Sequence, residues 1–154
     1  MAKEIERKFL VLNNDYKKQS EGILYKQGFL NTQKERVVRI RLVGNKGYLT
    51  VKGITRNISR CEYEYEIPFD EAEHMLNEIC EKPIISKLRY KIPMGNFIWE
   101  VDEFLNDNKG LVIAEIELER EDQEFPKPSW LGKEVSGDPK YYNANLVRFP
   151  YLKW

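Results

Sequence analysis

Glu4-Ile5-Glu6-Arg7-Lys8-Phe9, near the start of the chain, alternates in character: the even positions are charged, and the odd ones are apolar apart from Arg7. Successive side chains of a β-strand point to opposite faces, so this pattern puts Glu4, Glu6 and Lys8 on one face, with Ile5 and Phe9 on the other. The stretch is read as a strand with one charged face.

The same period of two recurs along the chain. Residues 36–43 set Arg39 and Arg41 against Val38, Ile40 and Leu42, and residues 48–52 set Thr50 and Lys52 against Leu49 and Val51. In 60–67, Glu62, Glu64 and Glu66 oppose Cys61, Tyr63, Tyr65 and Ile67. Residues 84–92 oppose Lys87, Arg89 and Lys91 to Leu88, Tyr90 and Ile92. Glu100 and Asp102 face away from Phe97, Trp99 and Val101 in 97–102, and Glu115, Glu117 and Glu119 from Ala114, Ile116 and Leu118 in 111–119. A further strand, 24–32, is rich in aromatics and alternates less cleanly. Turn signals such as Gly44-Asn45-Lys46-Gly47 and Met94-Gly95-Asn96 separate several of these runs, and about eight strands result.

Two helices interrupt the strands. Ala72, Met75, Leu76, Ile79 and Cys80 form an apolar stripe, Asp70 and Glu73 read as a capping pair, and Pro83 ends the helix. A second helix is expected from Asp138-Pro139 to about Val147. Phe125-Pro126-Lys127-Pro128 reads as a connector. These elements predict one mainly β (α+β) domain over 1–154, a closed antiparallel barrel or a two-sheet sandwich with a few flanking helices.

Composition narrows the function. The 154 residues carry 25 basic and 25 acidic side chains, and that balance argues against electrostatic attachment to nucleic acid or membrane. The cysteines, Cys61 and Cys80, have no CxxC spacing, and the one histidine, His74, stands apart from them. A zinc site or a Cys/His catalytic pair is not expected, and both cysteines read as buried filler on apolar faces. The N-terminus does not read as a signal peptide, and no apolar run approaches a membrane span, so a cytoplasmic location is expected.

The charges are sorted by strand: Glu62/Glu64/Glu66 is all acid, Lys87/Arg89/Lys91 all base, Glu115/Glu117/Glu119 all acid. A charged strand face usually looks at water. Like charges two residues apart on one face repel, however, and such blocks make sense where they converge on a metal-bound polyanion. Paired carboxylates hold a hard divalent cation through oxygen, and paired arginines and lysines grip phosphoryl oxygens. A solvated face and a charged interior channel both remain open at this point.

The ordered set Glu4-Ile5-Glu6-Arg7-Lys8, Arg39-Ile40-Arg41, Thr50-Val51-Lys52, Glu62-Tyr63-Glu64, Lys87-Leu88-Arg89-Tyr90, Glu100-Val101-Asp102 and Glu115-Ile116-Glu117 resembles the triphosphate tunnel metalloenzymes, or CYTH superfamily. Trp130 to Val135 and Lys140 to Asn143 resemble that family's C-terminal helical segment, so the likeness spans essentially the whole chain. It implies an eight-stranded antiparallel β-barrel enclosing a tunnel that binds a triphosphate and divalent cations.

Carried over by position, the resemblance makes Glu4, Glu6, Glu115 and Glu117 metal ligands, with Asp102 and Glu64 as further candidates. Lys8, Arg39, Arg41, Lys52, Lys87 and Arg89 would hold the phosphate chain, and Lys140 would close the tunnel. Lys8 and Lys87 are also expected among the catalytic groups, with Glu62 or Glu64 orienting the attacking water. An all-oxygen site suits Mg2+ or Mn2+ rather than zinc. Where many short bacterial relatives read Gln-Gly-Tyr-Leu, this chain has Gln27-Gly28-Phe29-Leu30 and lacks the phenol.

The implied activity is metal-dependent hydrolysis of a linear triphosphate, foremost inorganic tripolyphosphate, by a monomer or homodimer. The alternatives are adenylate cyclase, thiamine or nucleoside triphosphatase, with Tyr48, Tyr63 and Tyr65 as candidate mouth contacts, and a non-catalytic polyphosphate-binding module.

Overall fold

A computed structural model describes residues 2–154. The strands are β1 (Lys3–Val11), β2 (Ile23–Asn31), β3 (Arg36–Val43), β4 (Lys46–Gly53), β5 (Ser59–Ile67), β6 (Ile85–Met94), β7 (Phe97–Phe104), β8 (Val112–Glu117) and β9 (Leu131–Glu134), with helices α1 (Phe69–Glu78) and α2 (Asn143–Leu146). Hydrogen-bonded neighbours run β5-β4-β3-β2-β6-β7-β8-β1, and β1 also pairs with β5, so eight antiparallel strands close into a barrel. The β3–β4 and β6–β7 hairpins turn on two residues each (Val43 opposite Lys46, Met94 opposite Phe97), and Gly44 and Gly95 take φ of 58° and 61° at the first loop position. That left-handed conformation matches the twist of the flanking strands and favours glycine.

The register turns the alternation into a two-sided wall. Most charged residues of the alternating runs face the lumen, and most of the apolar ones between them face outward under cover. Phe9, Trp99 and Trp130 meet edge to face at 5.6 and 5.8 Å outside one half of the barrel. Outside the other half, α1 lays Ala72 and Leu76 over Ile40 and Leu42. One end of the lumen is filled by Phe29, Ile85, Phe104 and Ile113 packed against Leu146 and Val147. Burying each large side chain contributes about 1.5–3 kcal/mol, and this arrangement buries them while leaving the charges inside.

Several local expectations are corrected. Residues 131–134 form a ninth strand rather than part of a helical segment. β5 pairs only with Lys3 to Ile5 of β1, and β9 then takes Phe9 to Val11 on the edge that β5 leaves unpaired. Pro68, not Asp70, occupies the N-cap position of α1, with no side-chain capping bond; Asp70 and Glu71 lie in the first turn, where acids suit the helix dipole. The helix stops at Glu78, short of Pro83, and Ile79 is 59% exposed rather than part of the apolar stripe.

The second helix is broken in two. The Asp138 side chain caps a 3-10 turn over Pro139–Tyr141 by accepting from the Lys140 N–H at 3.1 Å, and Tyr142 (ψ 131°) is extended before α2 begins. Cys80 is buried as expected, but Cys61 is exposed with Tyr63 and Tyr65 on the part of β5 that α1 does not cover. Among the described residues no helix is long and apolar enough to cross a membrane.

Candidate active site

The lumen is a cavity of about 680 Å³, within the range of small-ligand sites. Its lining runs from Asn45 and Lys46 at the β3–β4 turn to Lys34 and Thr55 beyond the other ends of those strands. Of the residues marked in the sequence, Glu4, Glu6, Lys8, Arg39, Arg41, Lys52, Glu62, Glu64, Lys87, Arg89, Glu115 and Glu117 all line it. Asp102 and Lys140 do not. Asp102 is fully buried in the wall, and exposed Lys140 rests on the Trp154 ring with Nζ 4.0 Å from its centroid.

Cations and acids meet in the lumen as interlocked pairs. Lys52 Nζ lies 3.3 Å from Glu4 and 3.1 Å from Glu62, and Lys8 Nζ lies 3.8 Å from Glu115. Arg39 contacts Glu64 at 3.3 Å, and the Thr50 hydroxyl donates to that carboxylate at 3.0 Å. Arg39 Nε is buried with no hydrogen-bond partner among the described residues. A buried guanidinium N–H left in this way suits a ligand oxygen.

Deeper in the wall, Arg89 Nε and Nη2 donate to both oxygens of Asp102 at 2.7 and 2.9 Å, and Lys87 Nζ sits 2.8 Å from the same carboxylate. Asp102 therefore anchors two cations from behind. Burial works to raise its carboxyl, but Arg89 and Lys87 overcome this and bring it down to about 2. Burial also lowers Lys87 to about 7, with Arg89 and Arg41 adding to the effect against Asp102. Arg41 falls to about 9 through burial and the neighbouring Arg39 and Arg89.

The acids respond to one another. Burial and then the Glu115 and Glu4 carboxylates push Glu6 well above its ordinary value. Burial and a hydrogen bond with Glu4 lift Glu62 to about 7. Burial also acts to raise Glu4 and Glu115, but Lys52 together with Glu62 and Arg60 at Glu4, and Lys8 together with Glu6, Arg89 and Lys87 at Glu115, outweigh it and hold both below the usual carboxylate range. Glu117 is raised by burial and by Glu4 and Glu100. Among the described residues no three donors already stand as a compact metal cluster. The acids are paired across neighbouring strands instead, Glu6 directly opposite Glu117 and Glu100 opposite Glu115. This all-oxygen set, in which burial and then the neighbouring acids raise Glu6 and Glu117 while Glu4 and Glu115 stay ionised, fits a hard divalent cation.

A domain model described as the CYTH domain matches residues 2–147 of the chain. The chain belongs to the CYTH family. An inorganic triphosphatase of Acetivibrio thermocellus is 57% identical over 151 residues, covering 98% of this chain and 97% of the relative. One from Nitrosomonas europaea is 35% identical over 149 residues, covering 94% and 96%. The crystal structure of an inorganic triphosphatase superposes with a TM-score of 0.67 at 32% identity, covering 96% of this chain and 95% of that one.

The CYTH tunnel also contains residues that alternation did not single out. Tyr25 presents its ring to both Arg41 and Arg89, whose guanidinium carbons lie 5.1 and 4.8 Å from its centroid. Gln27, Arg60 and Asn143 supply polar contacts inside the wall. Gln27 and Tyr25 share the inward face of β2 with Phe29, which the period of two could have shown. Phe29 belongs to the apolar end plug. Glu66, Glu119 and His74 are exposed and do not line the cavity, as expected, whereas Lys91, expected to be a solvated strand-end residue, is exposed but lies within β6 and lines the cavity. Tyr63 and Tyr65, considered as mouth contacts, do not line the cavity, whereas Tyr48 does.

Proposed function

We propose that this chain is a metal-dependent inorganic triphosphatase that hydrolyses tripolyphosphate to pyrophosphate and phosphate within the tunnel. The observation that carries the reading is the convergence of six buried or lumen-facing cations with paired carboxylates around one cavity large enough to hold a triphosphate. A linear triphosphate carries several negative charges, and its cleavage gathers more on the leaving pyrophosphate. Positioning and charge stabilisation therefore supply most of the catalysis.

Arg39, Arg41, Lys52 and Arg89 bind the phosphate chain, with Arg39 Nε offering its free N–H to a phosphoryl oxygen. Lys8 and Lys87 reach the lumen from neighbouring parts of the wall and stabilise charge on the phosphoryl group and the leaving oxygen. Glu4, Glu6, Glu115 and Glu117 would hold Mg2+ or Mn2+. Such an ion, when bound, neutralises phosphate oxygens and lowers the pKa of water. Glu62 and Glu64 orient the attacking water. The water oxygen bonds to the terminal phosphorus, the P–O anhydride bond breaks, and the water proton passes to a neighbouring carboxylate or solvent. Asp102 acts from behind, as the counter-ion that fixes Lys87 and Arg89.

Phosphate release from tripolyphosphate, ATP and thiamine triphosphate, each with magnesium or manganese, tests this directly. Metal-dependent release that is fastest from tripolyphosphate and falls by about two orders of magnitude or more in Glu4→Gln/Glu6→Gln is expected. A folded protein that binds tripolyphosphate but releases nothing would be a binding module instead. Pyrophosphate with a cyclic nucleotide from ATP would mark a cyclase.

A further inference from the structure

The cations of the tunnel are joined by a closed circuit of side chains, and one link comes from outside the barrel. Gln27 Oε1 accepts from Arg41 Nε and Nη2 at 3.3 and 3.2 Å. Gln27 Nε2 donates to Asn143 Oδ1 at 2.7 Å, and Lys87 Nζ donates to the same oxygen at 2.9 Å. From Lys87 the chain runs through Asp102 to Arg89, and the Tyr25 ring lies beside both Arg89 and Arg41, closing the circuit. Gln27 and Asp102 are fully buried and held by barrel strands. Asn143 is the first residue of α2, in the C-terminal segment that plugs the tunnel end.

We infer that Asn143 is a positioning residue that sets the direction of Lys87 and, through Gln27, of Arg41 toward the substrate phosphates. A lysine ammonium has three donors. Asp102 and Asn143 fix two, so the third has one direction left. Asp102 alone would leave Nζ free to swing about a single contact, and a displacement of that size at a charge-stabilising group is costly to the rate. The same oxygen accepts from Gln27 Nε2, which turns Gln27 Oε1 toward Arg41. Two cations of the row thus take their bearing from one carbonyl. The residue before it, Tyr142, places its ring 5.2 Å from Lys8 Nζ, so the extended break ahead of α2 brings adjacent residues to Lys8 and Lys87.

This inference rests on the triphosphatase reading for its kinetic consequence but not for its geometry, and the test separates the two. Steady-state tripolyphosphate hydrolysis and thermal melting would be measured for the full chain and for Asn143→Ala, Gln27→Leu, their double variant, and Asp138→Ala. The last loosens the same segment by removing its cap without touching the circuit. Asn143→Ala is expected to lower kcat about ten-fold with KM within about three-fold. The double variant should fall little further than either single, because both act through one chain of contacts. Asp138→Ala should melt earlier yet keep its kcat.

Unchanged kcat in Asn143→Ala, or an equal loss in Asp138→Ala, would overturn the inference. The side-chain amine NMR signal of Lys87 reads the geometry without turnover: a protected Nζ resonance that broadens or disappears in Asn143→Ala is expected, and an unaltered one refutes the positioning. If the parent protein releases no phosphate, the triphosphatase reading fails while the resonance still decides the role of Asn143.

Discussion

Glu62 shows how a single tunnel carboxylate links charge to stability. Its folded-state pKa of about 7 stands above the ordinary 4.5, raised by burial and by the hydrogen bond with Glu4. Below pH 4.5 the group is protonated whether the chain is folded or not, and it contributes nothing to pH dependence. Between 4.5 and 7 the unfolded chain ionises while the folded one holds its proton, so stability falls as pH rises, and above 7 the penalty is complete. Glu62→Gln, which keeps the shape and removes the titration, should therefore raise the melting temperature of the metal-free protein at pH 8 and leave it nearly unchanged at pH 4.5. Equal shifts at both values would mean that packing, not ionisation, is responsible.

At the scale of elements, β1 organises the site, and its two edges explain what the sequence revealed and what it hid. The face of each strand was legible because a period of two needs no tertiary knowledge: Glu4, Glu6 and Lys8 face inward together for the same reason that Arg39 and Arg41 do. β9 was not legible. Its four residues are too short for alternation to register, and it forms because β1 beyond Lys8 offers an unpaired edge. The broken helix at Tyr142 was hidden for a similar reason, since the Asp138-Pro139 start is a local signal and the break is set by docking against the tunnel end. Asn143 was not singled out because it falls inside the helix expected from Asp138 to about Val147, while its actual partners, Gln27 and Lys87, are over fifty residues away in sequence.

β9 also bears on Lys8, which is proposed to stabilise charge in the reaction. Lys8 N–H donates to the Ser136 hydroxyl at 2.9 Å, and Lys8 C=O accepts from Val135 N–H at 2.8 Å. The fit of β9 depends on Gly132, where an added Cβ would stand 2.9 Å from the carbonyl oxygen of Leu10. That atom belongs to the backbone of β1 and cannot move aside cheaply. Gly132→Ala should cost about 1–3 kcal/mol in denaturant unfolding and lower triphosphatase activity as Lys8 shifts with its strand. A variant of unchanged stability would show that β9 is not held where the close approach places it.

On the scale of the whole molecule, zero net charge conceals a separation into an outside and an inside. The lysines and arginines of the tunnel are matched by acids closely enough to fold, yet Glu6, Glu62 and Glu117 all sit above their ordinary pKa, first because they are buried and then because the acids also face one another. A cation that takes the place of those protons binds the folded chain alone, so it must stabilise the fold by mass action, about 2.7 kcal/mol at a hundred times its Kd. Magnesium or manganese is therefore expected to raise the melting temperature, and more at pH 8 than at pH 5, where protons compete for the same oxygens. Glu4→Gln/Glu6→Gln should lose most of the rise. Adding tripolyphosphate with the metal should give a larger shift than either alone, since each relieves the repulsion that opposes the other. A melting temperature indifferent to divalent ions at pH 8 would remove the carboxylate pairs from metal binding and leave them as counter-ions to the cations of the wall.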